Sequence, residues 1–536
     1  MIKTMPLFFN RAGPSMAGKH YLIDPLRRID VDYIEELIEE ESYFVLHAPR
    51  QTGKTSCLLA LMHHLNAQGR YQALYVNVEA AQAHREDIPE AMRTICYSIA
   101  ENAEDYLQDT RLTPSIEPLL QQGTGKALQA LLRHWASINE QPVVLFIDEI
   151  DALVGDTLIS VLRQIRAGYA QRPAGFPVSI VLCGVRDVRD YRMESQHKEV
   201  ITGGSAFNIK ATSLRLGNFS QAEVRELWAQ HTAATGQIFA EAIYPELWAD
   251  TQGQPWLVNA LGYQLTRSPE FRALRDRKIE IGLADYQTAR ELLIQSRATH
   301  LDQLSDKLKE PRVHAVISAL LSDAQQTTTI PLDHLCYVED LGLIQRHPVL
   351  SIANRIYQEV IPRDLTYTTQ YMLPYQQAWY LTPQRRLDIP KLLTAFQHYF
   401  QEHAEAWIER FDYKEAGPQL LLQAFLQRIV NGGGRITREY GLGRRRTDLY
   451  IEWPVDEQVG YHGEVQRIVL ELKIRYQSKA ATIAQGLAQT ADYADKSAAD
   501  EVHLLIFDRR PEVAWQDKIW CQTAQHGSRA ITVWGL

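Results

Sequence analysis

Four short apolar runs, YFVLH at 43–47, ALYVNV at 73–78, PVVLFID at 142–148 and VSIVLCG at 178–184, each end in a polar turn and lead into a stretch of helical periodicity. Strands that alternate with helices in this way predict a mostly parallel β-sheet with helices on both faces. No other feature restricts the fold as much. It assigns residues 1–216 to an α/β core.

At 536 residues the chain is too long for one hydrophobic core, so further domains are expected. After Asn218 the pattern turns purely helical (SQAEVRELWAQHTAATG, PELWADTQG, QPWLVNALGYQLTRS), which predicts a helical lid over 217–300. Residues 301–365 read as short helices, a turn at Gly342 and a hairpin, the order of a winged-helix-like module. Residues 366–404, rich in Tyr, Gln and Pro, read as a connector. From 405 to 536 a helix (AGPQLLLQAFLQRIV), the turn NGGG, strands RITREYGL, RTDLYIEW and QRIVLELKI, a helix (AATIAQGLAQTADYADK) and strands EVHLLIF and AITVW predict a second α/β domain.

The first apolar run is followed by APRQTGKTS and then by the helix SCLLALMHHL. A strand, a loop spelled G-x-x-x-x-G-K-S/T and a helix make a P-loop. The loop amides and helix N-terminus cradle phosphate, the lysine reaches the β- and γ-phosphates, and the hydroxyl ligates magnesium. Ala48 stands where the first Gly is usual, a position at which Ala can take most backbone conformations. Pro49, Arg50, Gln51, Thr52, Gly53, Lys54, Thr55 and Ser56 are therefore assigned to an ATP site, with Thr55 on Mg2+.

The run PVVLFIDEID supplies the second half of that site: Asp148 to hold magnesium through water and Glu149 to polarise the attacking water. The strand VSIVLCG leads into Arg186, Arg189 and Arg192, cations near the place of a γ-phosphate. Arg186 is the candidate to sense nucleotide in cis and the other two to reach a neighbouring subunit; solvated surface arginines are the alternative. GQPWLVNAL resembles the Gly-x-Pro element of signal-transducing ATPases, in which Pro255 would pack on the adenine or let the lid sense nucleotide. Gly253 and Pro255 as plain loop residues is the alternative.

In the last domain, Asp448 in RTDLYIEW precedes Glu471 and Lys473 in VLELKI. Glu471 and Lys473 are two apart on a strand, so they project to one face, where they can converge with Asp448. Two carboxylates and a lysine suit metal-assisted phosphodiester chemistry: the carboxylates and the Leu472 carbonyl bind magnesium, and Lys473 orients or deprotonates water. The arrangement resembles the PD-(D/E)xK nuclease superfamily, with Thr447 in place of the Pro. That resemblance implies Glu415 as a further acid, and Gln489 and Tyr493 on the following helix. Arg435, Arg438, Arg444, Arg445 and Arg446 lie beside Asp448 in sequence and suit contacts to a phosphate backbone; a solvated basic hairpin is the alternative.

The net charge of −9 argues against a chain that coats nucleic acid with its whole surface, so such contacts are regional. Five scattered cysteines form no zinc or disulfide pattern. With no signal peptide or membrane-length apolar run, a soluble cytoplasmic protein without membrane contact is expected.

Taken together, KHYLIDPLRRID, YFVLHAPRQTGKTS, GQPWLVNAL, YVEDLGLI, IANRIYQEVIP and the GRRRTDLYIEW to VLELKI pair resemble a bacterial family of AAA-like, STAND-related ATPases. That family carries a winged-helix segment and a terminal PD-(D/E)xK-like domain, here a restriction-endonuclease-like α/β fold. The resemblance implies the domain order and the ATPase and nuclease labels, and supplies no substrate. The leading expectation is an ATP- and Mg2+-dependent switch controlling a nuclease on nucleic acid, with DNA favoured over RNA and an unidentified activator as a candidate partner. Arginine placement and family type point to a homo-oligomer, and such ATPase-nuclease fusions are associated with defence against foreign DNA. A regulatory ATPase or DNA-binding scaffold with a non-cleaving last domain is the alternative. A translocating motor finds no helicase motif.

Overall fold

A computed structural model describes residues 6–186, 192–194, 200–202, 208–296, 299–321, 330–365, 380–410, 421–423, 425–426, 434–439, 448–456, 459–475, 478–497, 499–508, 510, 512–527 and 529–536. They divide into two compact units. One comprises Met1–Ile238, Gln252–Glu280 and Glu339–Gly342; the other Phe239–Thr251, Ile281–Val338 and Leu343–Leu536. Among the described residues no helix is long and apolar enough to cross a membrane.

In the first unit, β1 (Phe8–Phe9) and β2 (His20–Tyr21) form a short parallel pair. The main sheet joins β3 (Tyr43–His47), β4 (Gln72–Asn77), β5 (Val143–Asp148), β6 (Ser179–Gly184) and β9 (Lys210–Arg215) in the order β4-β5-β6-β3-β9. Every neighbouring pair is parallel. Between β6 and β9, β7 (Arg192–Glu194) and β8 (Val200–Thr202) pair antiparallel.

Strands β3, β5 and β6 are buried along their whole length. A strand covered on both faces has no polar side, hence the unbroken apolar runs. Alternation divides the core. Phe44 and Leu46 pack with Leu58, Leu61 and Leu65 of helix Lys54–Gln68 on one face. Tyr43 and Val45 lie on the other face with Ile95 and Ile99 of helix Ile88–Leu107 and Trp135 of helix Ala127–Ile138. The carboxyl ends of these strands carry the phosphate loop and the acidic pair.

Helix Gln221–Thr235 starts where the sequence spells SQAE. The Ser220 hydroxyl accepts from the Glu223 amide at 3.2 Å, and the Glu223 carboxylate accepts from the Ser220 amide at 2.7 Å. Helix Pro255–Arg267 has proline in its first turn, and the Gln254 side chain accepts from the Leu257 amide at 2.7 Å. The stretch 217–300, expected as one lid, is shared between the units. The reason is local: on helix Leu283–Gln295, Tyr286 donates to Asp250 at 2.8 Å and Arg290 pairs with Asp250 at 3.0 Å, which fastens helix Ile243–Thr251 to the second unit.

The second unit contains helices Thr299–Leu308, Pro311–Leu321 and Arg355–Leu365, with β10 (Ile344–Gln345) paired antiparallel to β11 (Ser351–Ile352). The stretch expected as a connector differs from that expectation from Ile389 onward. Ile389–Arg410 is a 22-residue helix whose Leu392, Leu393, Phe396 and Phe400 are buried on one face, a periodicity that the Tyr- and Gln-rich composition concealed. It covers one side of a mixed sheet of β12 (Arg435–Glu439), β13 (Asp448–Pro454), β14 (Val465–Ile474), β15 (Glu501–Phe507), β16 (Trp520–His526) and β17 (Arg529–Gly535), ordered β12-β13-β14-β15-β17-β16. Helix Lys479–Ser497 lies on the opposite face with Leu487 and Ile483. A Cβ on Gly486 would stand 2.6 Å from the Leu504 methyl groups, so this helix packs flush on β15.

Candidate functional site

The loop after β3 runs from buried Ala48 to Gly53, whose φ of 98° lies in the left-handed region. Glycine is required there, because the chain must turn from strand into helix Lys54–Gln68 within a few residues. Thr52 donates its hydroxyl to the Pro49 carbonyl at 2.7 Å. Buried Lys54 donates to the carbonyls of Ala48 at 3.0 Å and Pro49 at 3.2 Å. The ammonium is thus held inside the loop by its own backbone. Arg50 and Gln51 are exposed, and Ser56 accepts from the Ser15 amide at 3.2 Å.

Strand β6 lies between β3 and β5, yet the carboxylate at the end of β5 meets the start of the P-loop helix. Asp148 is fully buried, and several donors converge on it. Oδ2 accepts from the Thr55 hydroxyl at 2.7 Å and the Tyr75 hydroxyl at 3.0 Å; Oδ1 accepts from the Glu149 amide at 2.9 Å. Tyr75, on β4, went unnoticed in the sequence because it reads as one more apolar strand residue. Burial and the Asp148 carboxylate push its phenol well above the ordinary range.

Glu149 follows with φ 57°, a left-handed conformation that costs a non-glycine residue about 1 kcal/mol or more. Burial raises its carboxyl above the usual range, against the opposing pull of Lys54. Arg186 lies two residues beyond the end of β6. Pro255 is buried in the first turn of its helix, where its carbonyl accepts from the Asn259 side chain at 2.8 Å; Gly253, at φ 68°, accepts from the Phe219 amide at 2.9 Å.

In the second unit, Glu471 and Lys473 project to the same face of β14 and form an ion pair at 2.5 Å; their side chains are 2% and 10% exposed. Their neighbours Leu470 and Leu472 point the other way, into the core under helix Ile389–Arg410. The recorded register pairs Leu449 with Leu470, which leaves Asp448 at the next position, alongside Glu471. Arg438 pairs with Leu449 and Glu439 with Asp448 on the other side. The Gln489 side-chain oxygen is buried and has no hydrogen-bond partner among the described residues.

Arg189, Glu415, Arg444, Arg445 and Arg446 lie outside the described residues, as do the side chains of Arg192, Arg435, Arg438, Asp448 and Tyr493. Among the described residues no group of three or more His, Cys, Asp or Glu gathers as a metal cage.

Residues 38–191 match the AAA domain family. No curated protein matches the chain. Among solved structures, the Walker-type ATPase of Pyrococcus abyssi is similar at 13% identity and a TM-score of 0.43, over 66% of this chain and 99% of that one. Cdc6p from Pyrobaculum aerophilum is similar at 16% identity and a TM-score of 0.34, over 66% and 96%. The RuvB Holliday junction branch migration motor of Thermotoga maritima is similar at 13% and 0.32, over 62% and 92%. The chain therefore carries an AAA-type P-loop ATPase domain on a parallel-sheet α/β fold.

Proposed function

We propose that this protein is an ATP-controlled, magnesium-dependent nuclease acting on DNA, in which the P-loop domain is the switch and the carboxyl-terminal sheet the effector. The observation that carries the nuclease half is the buried Glu471–Lys473 ion pair with Asp448 alongside it in the register of β13 and β14. Burying two charges is costly unless they serve each other or a ligand. A carboxylate and a lysine on one strand face, with a second acid next in register, is the set that metal-assisted phosphodiester cleavage needs.

In the switch, the loop amides from Arg50 to Ser56 bind phosphate and Lys54 leaves its loop carbonyls for the β- and γ-phosphates. The Thr55 hydroxyl and the Asp148 carboxylate, two oxygen ligands 2.7 Å apart, fit a hard divalent cation. Magnesium bound there would neutralise charge on the phosphates. Glu149 orients and polarises the attacking water, and Arg186 and Pro255 sense the nucleotide. In the effector, Glu471, Asp448 and the Leu472 carbonyl would hold magnesium, which would stabilise charge developing on the scissile phosphate. Lys473 orients the water, while Arg435, Arg438, Arg444, Arg445, Arg446, Gln489 and Tyr493 contact the strand.

Residues 301–365 act as a winged-helix-like relay between the two. A homo-oligomer, an activating partner, a cytoplasmic location and a role in defence against foreign DNA complete the proposal.

The decisive experiment incubates plasmid and single-stranded DNA with purified protein and magnesium, with and without ATP, and compares wild type, Lys54→Ala and Lys473→Ala. Cleavage lost in Lys473→Ala, and ATP dependence lost in Lys54→Ala, supports the reading. ATP turnover by wild type without any cleavage refutes the nuclease half. The neutralisation of Lys473 by Glu471 favours one further reading, a last domain that binds nucleic acid without cutting it. Magnesium-dependent cleavage abolished by Glu471→Ala rules that reading out.

A further inference from the structure

The segment ahead of β3 reads IDPLRRID. Its Pro25–Arg28 turn of 3-10 helix is capped by Asp24, which accepts from the Leu26 amide at 3.0 Å, and it presents two adjacent arginines in different directions. Arg27 points outward and meets Glu226 on the solvent side at 2.7 Å. Arg28 points at the phosphate loop. One arm of its guanidinium donates to the Thr52 carbonyl at 2.6 Å, the other to the Gly217 carbonyl at 2.6 Å, and its plane lies over the Phe219 ring at 4.7 Å.

The peptide unit between Thr52 and Gly53 is planar, so its carbonyl and its amide point in opposite directions. An anchor on the Thr52 carbonyl therefore fixes the heading of the Gly53 N–H, one of the donors with which a P-loop holds phosphate. A charged donor on the carbonyl also polarises the amide and strengthens it as a phosphate donor. The contact is close: a Cβ at 53, already disfavoured by the φ of 98°, would stand 2.7 Å from the Arg28 guanidinium nitrogen and displace it. The other arm holds the backbone between β9 and the lid helices, and Phe219 beneath it donates its amide to the Gly253 carbonyl at 2.9 Å. One planar fork thus joins the phosphate loop to the backbone that leads into the Gly-x-Pro turn. Lysine has one nitrogen at its tip and lacks the planar fork whose two nitrogens each meet one of these carbonyls.

We propose that Arg28 is a positioning residue of the nucleotide site, which pre-orients the Gly53 amide for phosphate and ties the loop to the start of the lid. The proposal rests on the ATPase reading. It is tested by titrating wild type, Arg28→Ala, Arg28→Lys and Arg27→Ala with fluorescent ATP and ADP analogues, with folding checked by circular dichroism. For Arg28→Ala the Kd of both nucleotides rises by about 10–100-fold, the loss of a charge-assisted anchor. The two nucleotides lose affinity by the same factor, because the amide serves a phosphate they share. Arg28→Lys recovers only part of the loss, and Arg27→Ala stays within about twofold, as for a solvent-exposed pair.

A folded Arg28→Ala protein that binds ATP as wild type does overturns the proposal, as does full recovery in Arg28→Lys. If Arg28→Ala fails to fold, Arg28→Lys alone decides by the same criterion. Wild type that binds no nucleotide removes the ATPase reading and this proposal with it.

Discussion

Tyr75 offers the sharpest test of the magnesium half of the nucleotide site, because it touches the proposed ligand and not the nucleotide. Its hydroxyl donates to Asp148 Oδ2 at 3.0 Å, on a carboxylate with no solvent exposure. Tyr75→Phe removes that donor and keeps the ring, so packing between β4 and helix Lys54–Gln68 is preserved. A hydrogen bond to a charged group is worth about 1.5–3 kcal/mol, and loss of a partner that orients a metal ligand typically lowers metal affinity about 10–100-fold. The two figures agree, since about 1.4 kcal/mol is a factor of ten.

The assay is steady-state ATP hydrolysis at saturating ATP, titrated with magnesium, for wild type and Tyr75→Phe. The half-saturating magnesium concentration rises by about 10–100-fold, while the rate at saturating magnesium stays within about threefold. An unchanged or lower magnesium requirement refutes the reasoning. A lower requirement would mean that the phenol competes with the cation for Oδ2, and an unchanged one that it does not aim the carboxylate at it.

His231 is buried between the Tyr21 hydroxyl and Gln237, at 3.1 Å each, and burial brings its pKa down to about 4. The unfolded chain therefore takes up the proton first, so stability falls as pH drops from about 6.5 to about 4, by about 3 kcal/mol in all; denaturant melts of wild type and His231→Gln show this slope flattened in the variant. Asp508, held down to about 2 by Arg510, stabilises the second unit above about pH 4, and this contribution is lost as the pH falls towards 2. Asp508→Asn costs about 1–2 kcal/mol at pH 7 and progressively less as the pH falls through about 2, measured by the same melts. Gly486→Val forces a side chain into the Leu504 methyl groups and lowers stability by about 1–3 kcal/mol, read as a lower thermal midpoint.

The strands that carry the nucleotide site were legible because burial on both faces leaves its mark on every residue: YFVLH and VVLFID coincide with β3 and β5. The edge strands were harder. KATSLR, in β9, is only partly buried, and WCQTAQH, in β16, is mostly exposed, so the latter shows no apolar run and was not anticipated. Within the site, residues whose task is met by local backbone geometry, such as Gly53 and Lys54, declare themselves in a motif. Tyr75 and Arg28 act across 73 and 24 residues through one hydroxyl and one guanidinium; the string around Arg28 carries a resemblance, but its spelling does not show which atoms that arginine meets.

The motif YVEDLGLI illustrates the remaining class, a string whose resemblance was plain and whose physical reason lay elsewhere in the chain. Glu339–Gly342 belongs to the first unit, against the phosphate loop. The Glu339 carbonyl accepts from Arg215 at 2.8 Å, and Asp340 faces His47, the last residue of β3, at 3.7 Å. Gly342 has φ 77°, and a Cβ there would stand 2.8 Å from the Pro49 ring. Two independent demands therefore fall on one position: a left-handed turn, and clearance for the residue that opens the P-loop. Either alone disfavours a side chain; together they leave glycine as the residue that lets the EDLG turn close on the loop. The constraint on position 342 is thus set by an atom nearly three hundred residues away, and it could be read only once the chain had been folded back onto its own nucleotide site.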